Sequence, residues 1–541
     1  MPTSRRARQR VRARVRLAAA LTLALTPAVA TAQPEPAAVA PTIAVPAGYV
    51  PPDFIAAEPP LPASAAGAQV WRLDLTETIQ LAVRNNLDIV LEREQLTIAR
   101  RGVDLARGEL EPVLGIDYRR GDFRRPPVTA DEGEGDVAAI DDALTLSYQQ
   151  RFATGLRLGL DVDAVRTRST AANAIDPVNV RSTASLRVTQ PLLRGFSLDL
   201  DVPRVTILRA RLASDRERRQ VEIVIADVVD RTEAAYWDVV AALYRHDLEV
   251  RSAGLAEEQL ALTRRQIDAG VLPPSDLIGA ESTVAQRRLQ QVEAEQAVDQ
   301  AWDRLRRVVN LPREQWARPI LPVERPTFAP GAVTAEQAMA TALANRPERF
   351  QLDTDAAGAA LAVRKADNDR LPQVDLGLTG SLIGQDSSYR GALSDLGGAD
   401  TRGWQVMVDM TWTPLDRAAG AAAAIARSEQ RIVAARREAA LQAIWFDVKD
   451  AVRNQDSAAR RVAAAGRFRD LAQQSLDIEQ RKFLNGTSSN FLVAQRQEEL
   501  AAAQLAELSA LLDHQKASTT VLHATGVLLT ERGISLDPSA R

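Results

Sequence analysis

The sequence contains no cysteine among its 541 residues. This absence excludes disulfide bonds, thiolate metal sites, a cysteine nucleophile and a lipid anchor on an N-terminal cysteine. It does not identify a cellular compartment. It is nevertheless typical of an exported chain, because a protein without thiols cannot form wrong disulfides in an oxidising environment.

Aromatic residues make up only 4% of the chain, and histidine occurs three times, at His246, His514 and His523. His514 and His523 are separated by nine residues of a predicted helix, which is about 900° of rotation, so they lie on opposite faces. This placement favours packing roles over metal binding. The sequence also lacks a P-loop, a G-x-S-x-G motif and an H-E-x-x-H motif. We therefore expect no enzymatic activity, no cofactor and no metal site.

Long apolar runs are missing as well. After residue 33 no stretch approaches 18 apolar residues, so the sequence predicts no membrane-spanning helix. The N-terminus has a different character: residues 1–16 carry seven Arg and no acidic residue, residues 17–30 are mostly apolar, and Ala30-Thr31-Ala32 follows. This order predicts a secretory signal peptide at 1–32, cleaved before Gln33.

Removal of the signal peptide with its seven Arg changes the formal net charge from −3 to −10. Nucleic-acid-binding proteins are usually basic, so we expect no nucleic-acid partner. Residues 33–70, which follow the cleavage site, are rich in Pro and Ala. This composition predicts an extended, poorly ordered linker.

The remaining sequence consists of two halves that resemble each other. Residues 74–86 and 334–346 match at an offset of 260 and open the two halves. In each half a helical stretch is followed by strands, a very long helix, a glycine turn and another helix. The pattern predicts an internal duplication, with a first structural repeat at 71–330 and a second at 331–541.

Each repeat contains a predicted helical hairpin, at 204–310 and at 419–526. Gly270 interrupts the first hairpin and Asn485-Gly486 interrupts the second, where a positive φ is least costly. Helices of this length need partner helices along their whole length, as coiled coils do. The first long helix shows a heptad seam formed by Val221, Ile225, Val228, Thr232, Ala235, Val239 and Ala242.

Predicted strands precede each hairpin, at about 112–190 in the first repeat and about 373–413 in the second. Their apolar and polar residues alternate, although a half-buried sheet of a soluble protein would alternate too. The strand segment between corresponding prolines is 79 residues long in the first repeat and 42 in the second. The excess includes an alternating segment around 143–163, which either adds strands or lengthens the existing ones.

This ordered series of motifs resembles the TolC-type outer-membrane factors, the outer membrane efflux protein family. The resemblance covers about residues 71–530, and it is specific because the whole series occurs twice behind a signal peptide. Its motifs are the opening helices at 76–86 and 336–346, the strand entries Leu110-Glu111-Pro112 and Leu371-Pro372, the strand exit at 190–195, the segment Ala235-Tyr236-Trp237-Asp238 and the two glycine turns.

The resemblance implies a mixed α/β membrane protein that assembles as a homotrimer in the outer membrane. Each protomer contributes four strands to a 12-stranded transmembrane β-barrel, and the long coiled-coil helices form an α-barrel in the periplasm. The helix tips meet a periplasmic adaptor (a membrane fusion protein) and, through it, an inner-membrane pump. The implied function is a passive exit channel of a tripartite efflux or type I secretion system.

In a barrel of this kind, residues 403–415 of the second repeat have specific expected positions. Trp404 and Trp412 bracket a predicted strand, and eight residue steps span about 26 Å, close to the apolar band of an outer-membrane barrel. We interpret both Trp as part of the aromatic girdle rather than as core residues. Gln405, Asp409 and Thr411 are expected to face the lumen. Their neighbours Val406, Val408 and Met410 are expected to face lipid.

The sequence departs from the family at the tips. Family members often carry acidic residues just past the second glycine turn, whereas this chain has Leu492 and Gln495 there. Asp276, past the first turn, remains as a possible entrance ring of three carboxylates, which would be weaker than usual. Ion selectivity, cargo and pump class stay open. The alternative function is a secreted structural or adhesive coiled-coil protein.

Overall fold

The computed structural model describes residues 55, 58–65, 67–172, 178–270, 272–329 and 333–534. The expected signal peptide at 1–32 and most of the expected linker at 33–70 lie outside the described residues. The described end of the linker segment is packed rather than loose. Ile55 is 1% exposed, and its carbonyl accepts a hydrogen bond of 3.0 Å from the hydroxyl of Tyr244.

The described residues form ten α-helices and eight β-strands. In chain order these are β1 (Trp71–Leu73), α1 (Leu75–Asn85), α2 (Leu87–Arg107), β2 (Val113–Arg125), β3 (Val137–Arg151), β4 (Arg157–Ser169), β5 (Val178–Pro191), α3 (Val205–Asp268), α4 (Ser275–Val309), β6 (Ile320–Pro322), α5 (Ala335–Asn345), α6 (Pro347–Asn368), β7 (Gln373–Asp386), α7 (Tyr389–Gly398), β8 (Thr401–Thr411), α8 (Arg417–Leu484), α9 (Asn490–Ala524) and α10 (Leu528–Glu531).

The helices confirm the internal duplication. The opening helices α1 and α5 have 11 residues each, and α2 and α6 have 21 and 22. The long helices α3 and α8 have 64 and 68 residues, and their hairpin partners α4 and α9 have 35 each. The opening helices begin alike, because Asp74 and Thr334 cap them through side-chain hydrogen bonds to the backbone.

The long helices are stabilised by one another. Helix α3 packs against α4 and α9, and α8 packs against α9. At about 1.5 Å per residue, α3 is roughly 96 Å long, so no compact core could cover it. The seven residues of the predicted heptad seam in α3 are all buried, which confirms that prediction.

One fully buried charge of this helical region is Glu233 on α3, which is inaccessible to solvent. Arg532 donates two hydrogen bonds to its carboxylate, of 2.5 and 2.7 Å, and the hydroxyl of Thr519 donates a third of 2.7 Å. A buried carboxylate is tolerated only when it is paired in this way. The contact therefore joins α9 and the C-terminal end of the second repeat to the long helix of the first.

The strands form one six-stranded antiparallel sheet in the order β2-β3-β4-β5-β7-β8. The expectation of four strands per protomer is wrong for this chain, because its sheet has six. The segment around 143–163 adds strands rather than lengthening others, because Gly155 adopts a φ of +86° and reverses the chain between β3 and β4. The amide of Phe152 donates a 2.8 Å hydrogen bond to the carbonyl of Leu156 and closes this turn.

The strand region predicted at about 373–413 contains a helix that the sequence pattern did not reveal. Helix α7 lies between β7 and β8, and Ser388 caps it by accepting a 3.1 Å hydrogen bond from the amide of Gly391. It packs onto β7 at Gly384, where a Cβ atom would lie 2.1 Å from the carbonyl oxygen of Ala392. Only glycine fits there without a shift of the helix.

Among the residues that the structure describes, no helix is both long enough and apolar enough to cross a membrane.

Candidate functional site

The half of one face of the six-stranded sheet that lies next to the helices is apolar from edge to edge, whereas the far half of the same face carries charged residues, including Asp122, Asp142, Arg166 and Arg402. The strand register places Ile116 opposite Leu146, and Leu146 opposite Val162, so apolar side chains form continuous rows. The residues of this apolar face are Leu114, Ile116, Tyr118, Leu144, Leu146, Tyr148, Leu158, Leu160, Val162, Leu186, Val188, Val374, Leu376, Leu378, Leu382, Trp404, Val406, Val408 and Met410. Many are exposed, for example Leu114 at 77% and Val408 at 64%. Large exposed apolar surfaces of this kind mark contact with a partner or a membrane.

The opposite face of the same sheet is polar, because successive side chains of a strand point to opposite sides. Its residues include Asp117, Thr145, Ser147, Gln149, Asp161, Asp163, Thr183, Ser185, Arg187, Thr189, Thr379, Ser381, Gln405, Asp409 and Thr411. The structure thus places all three residues expected in the lumen on one face. Gln405 lies opposite Thr379, and Thr411 lies opposite Gln373.

Asp409 lies opposite a second carboxylate, Asp375 of β7. Like charges directly opposite each other destabilise a sheet, so this pair needs a counter-charge. The guanidinium of Arg157 donates a 3.2 Å hydrogen bond to Asp375, and the amide of Gln373 donates another of 2.9 Å. Sequence reasoning missed Asp375 and Arg157, since only strand register reveals that they meet.

Trp404 and Trp412 are both exposed, at 79% and 59%. Trp404 lies on β8 and belongs to the apolar face, while Trp412 directly follows the strand. Every residue of β8 is exposed, and in the part of the chain that the structure describes no helix covers this strand. The two Trp are therefore not core residues within a single copy, and the girdle assignment stays a prediction.

The two helical hairpins end in glycine turns, as the sequence predicts. Gly270 has a φ of +73° and Gly486 a φ of +72°, conformations that favour glycine over any residue with a Cβ atom. Between the helices α8 and α9, Asn485 donates its amide to the carbonyl of Arg481 at 3.2 Å. The amide of Thr487 donates to the carbonyl of Lys482 at 2.9 Å and completes the turn.

Charged residues flank both turns, and some of them form ion pairs, such as Arg264 with Glu281 at 2.8 Å and Lys482 with Glu479 at 3.2 Å. Asp276 lies in the first turn of α4, and the hydroxyl of Ser275 approaches its carboxylate at 3.5 Å. Leu492 and Gln495 lie in the first turns of α9. On α8, a 2.5 Å hydrogen bond from Ser488 holds the pKa of the Glu479 carboxyl below its usual range.

A hydrogen-bond network joins the two hairpins close to the tips. The amide of Gln259 on α3 donates to the side-chain oxygen of Asn490 on α9 at 2.5 Å, and the Asn490 amide donates to the hydroxyl of Thr263 at 3.0 Å. Thr263 is fully buried. We call Gln259, Thr263 and Asn490 the inter-hairpin contact. No local sequence pattern indicates this contact, because the three residues come from different repeats.

Comparison with known proteins agrees with this architecture. The family model of the outer membrane efflux protein matches residues 137–311 and 338–527, one segment in each repeat and about two thirds of the chain. A search of the curated proteins found no match.

Several solved structures share the fold at low sequence identity. A membrane protein from Pseudomonas aeruginosa is 17% identical, with 87% of this chain and 92% of that chain covered and a TM-score of 0.62. The CmeC outer membrane channel of Campylobacter jejuni is 14% identical over 86% of this chain and 90% of that chain, with a TM-score of 0.62. The outer membrane protein VceC of Vibrio cholerae is 13% identical over 84% and 96%, with a TM-score of 0.61.

The duplicated match of the family model covers both helical hairpins and strands of both repeats, so it rests on more than a single motif. A member of this family is a transport protein of the outer membrane and not an enzyme. The chain belongs to the outer membrane efflux protein family.

Proposed function

We propose that this protein is a passive trimeric exit channel, which carries substrates from a periplasmic adaptor and an inner-membrane pump to the cell exterior. The observation that carries the proposal is the two-faced sheet. An antiparallel sheet of a soluble protein hides its apolar face beneath other elements. Here the apolar half of that face stays exposed, α7 covers the face at the far ends of β5 and β7, and the opposite face is mostly polar.

In an outer-membrane barrel such a sheet has a direct use. The apolar face meets lipid and the polar face lines water, which is the alternation of known transmembrane barrels. Asp409 and Asp375 then lie in an aqueous lumen with Arg157, where charges are not costly. The exposed Trp404 and Trp412 fit the two interfaces of the membrane, where aromatic residues concentrate.

The paired helices fit a tunnel that crosses the periplasm. Helix α3 is roughly 96 Å long at about 1.5 Å per residue, and its hairpin ends at Gly270, far from the sheet. We infer that these tips form the entrance and contact the adaptor. Three proteins whose solved structures share this fold, OprN, CmeC and MtrE, are outer-membrane channels.

The inter-hairpin contact suggests how the entrance stays narrow. Gln259, Thr263 and Asn490 tie one hairpin to the other, so the tips separate only if these hydrogen bonds break. Adaptor binding would supply the free energy for that step. Asp276 would contribute one carboxylate per copy to the entrance, with Leu492 and Gln495 contributing no charge.

The decisive experiment reconstitutes the full-length protein in planar bilayers and measures single-channel conductance. We expect discrete conductance steps, together with fractionation into the outer membrane and release only by detergent. A secreted structural or adhesive coiled-coil protein would instead remain soluble after removal of the outer membrane. Detergent-extracted protein that never conducts would contradict the channel.

A further inference from the structure

The six-stranded sheet has two open edges. Strand β2 pairs only with β3, and β8 pairs only with β7, among the described residues. Nearly every residue of β2 and every residue of β8 is exposed. The outer edge of each strand presents backbone N–H and C=O groups without partners, and such an edge cannot remain in lipid. It must pair with another strand, and exposed edges are templates for such pairing.

We propose that β2 of one copy pairs with β8 of the next copy, with Val113 opposite Thr411, and that three copies close an 18-stranded barrel. The proposal rests on the trimeric membrane channel proposed above. It differs from the 12-stranded barrel that the family resemblance implies, because each copy supplies six strands instead of four.

The direction of the two edge strands permits this pairing. All five neighbouring pairs in the sheet are antiparallel, so strand direction alternates from β2 to β8. The first and sixth strands therefore run in opposite directions and meet antiparallel in a closed ring. Their lengths are also compatible, at 13 residues for β2 and 11 for β8.

The ends and faces of the two strands select one register. With Val113 opposite Thr411, the two strands end level with each other on the side of the helices. The apolar half of the face then continues across the junction, and charged residues follow it towards the far end. The facing apolar pairs are Leu114 with Met410, Ile116 with Val408, and Tyr118 with Val406.

The charges of the two edges select the same register. It places Asp122 of β2 opposite Arg402 of β8, whereas a shift of two residues either way places Arg120 or Arg124 opposite Arg402. Like charges directly opposite each other are destabilising, and opposite charges are favourable. Within its own strand Asp122 makes only a loose, exposed ion pair of 3.7 Å with Arg124. A shift of one residue is excluded because it would put apolar residues on the polar face.

The register also gives a normal barrel geometry. A row of paired residues runs across one copy through Ile116, Leu146, Val162, Ala184, Leu382 and Arg402. The next residue in the proposed ring is Asp122, six positions beyond Ile116. Three copies therefore accumulate a stagger of 18 residues over 18 strands. A barrel whose stagger equals its strand number has strands tilted by about 36°, within the range of membrane barrels.

The functional consequence is a wide exit. Barrel diameter grows about linearly with strand number, so 18 strands give a lumen roughly 1.5 times as wide as 12 strands. The helical hairpins show no such increase, since each repeat contributes one long helix and one partner. The narrowest part of the channel is therefore assigned to the helical tunnel and its tips, and not to the barrel.

Disulfide crosslinking of the full-length protein in outer membranes tests the junction. The natural chain has no cysteine, so an introduced pair reports one contact without background. We expect Ile116→Cys combined with Val408→Cys to give a covalent trimer on a denaturing gel after oxidation. Within one copy the two positions are five strands apart, about 24 Å at roughly 4.8 Å per strand. This is too far for a disulfide, so any bond joins two copies.

The matched control combines Ile116→Cys with Met407→Cys, which lies next to Val408 on the opposite face and should not crosslink. Crosslinking of Ile116→Cys with Val406→Cys or Met410→Cys in preference to Val408→Cys would overturn the register. A ladder that ends at a covalent dimer would overturn the 18-stranded ring.

Failure of this inference is distinguishable from failure of the proposed function. If none of the cysteine pairs crosslinks while the protein still conducts in bilayers, the β2–β8 junction is wrong and the channel stands. If the protein neither fractionates with outer membranes nor conducts, the channel itself is wrong.

Discussion

The internal duplication is preserved in the paired helices of this protein but not in its sheet. Paired helices of the two repeats agree in length within four residues, from the opening helices to the 64- and 68-residue long helices. The sheet takes four strands from the first repeat and two from the second. The helices have kept the symmetry of the duplication, and the sheet has not.

The physical reason is the range of the contacts that each region needs. A long helix must match partner helices along roughly 96 Å, so a length change in one would unpair the others. A hairpin added to an antiparallel sheet needs only its own turn and its two neighbouring strands. Gly155 supplies that turn, and β3 and β4 continue both faces of the sheet. Strand number can therefore change while helix length is held constant.

The substitution with the largest expected effect disrupts the sheet and leaves the helices unchanged. Val408→Arg places a charge on the apolar face, where Arg near the middle of the membrane costs about 2–4 kcal/mol per copy. We expect the variant to be lost from the outer membrane fraction. Met407→Arg is the matched control, because Met407 is the neighbouring residue on the polar face and is similarly exposed. Equal loss of both variants would argue against two distinct faces.

A second substitution destabilises the helical region and leaves the sheet unchanged. Arg532→Ala leaves Glu233 buried without its counter-charge, which typically costs about 3–5 kcal/mol. We expect a lower midpoint in urea unfolding followed by helical circular dichroism, with barrel insertion retained at low temperature. Arg461→Ala removes an exposed ion pair of 3.3 Å with Asp513 and should cost less than about 1 kcal/mol. Similar losses for both variants would contradict the role assigned to burial.

A third substitution asks whether the two hairpins move as separate units. Asn490→Ala removes both hydrogen bonds of the inter-hairpin contact and leaves Thr263 buried without this partner, at a cost of about 1–3 kcal/mol. We expect a higher conductance or open probability in planar bilayers. Ser518→Ala is the control, since its 3.2 Å hydrogen bond with Gln455 lies within one hairpin. An unchanged conductance in Asn490→Ala would show that other contacts hold the tips.

The smallest expected effect is a pH dependence confined to the helices. A hydrogen bond to the carboxylate of Asp227 raises the pKa of His523 above its ordinary value of 6.5, against the effect of burial. Asp230 also raises this pKa, and Arg346 lowers it. Because the folded-state pKa is raised, the stabilisation is complete below about pH 6.5 and is lost as pH rises through the folded value.

The measurement is the midpoint of urea unfolding between pH 6 and pH 8, followed by helical circular dichroism. The natural protein should lose stability over this range, and His523→Gln should lose less. The same slope in both proteins would assign the pH dependence to other groups. Insertion of the barrel should not change with pH in either protein.

Much of the helical region could be predicted from the sequence, because helical signals are local. The spacing of Val221, Ile225 and Val228 identified the buried side of α3, and Gly270 and Gly486 identified the turns. Neither the Glu233–Arg532 pair nor the inter-hairpin contact was predicted. Both join residues more than 200 positions apart, and no local pattern connects them.

For the sheet, local sequence patterns predicted only some of the features. Alternation of apolar and polar residues correctly predicted the faces of the strands, and it placed Gln405, Asp409 and Thr411 on the polar side. It did not reveal α7, which is short, or the number of strands. With its extra alternating segment around 143–163, the strand region 112–190 is compatible with two long strands or four shorter ones, and the sequence pattern leaves both open.

The sequence by itself determined the long helices and their turns, the apolar side of the strands, and that the architecture is duplicated. These properties follow from periodicities of 3.6 and 2, which a chain carries in any short window. Only the tertiary structure decided that six strands share one sheet, that Arg157 reaches Asp375, and that β2 and β8 are its open edges. Strand pairing joins backbone groups far apart in the chain, and nothing in the composition of one strand specifies its neighbour.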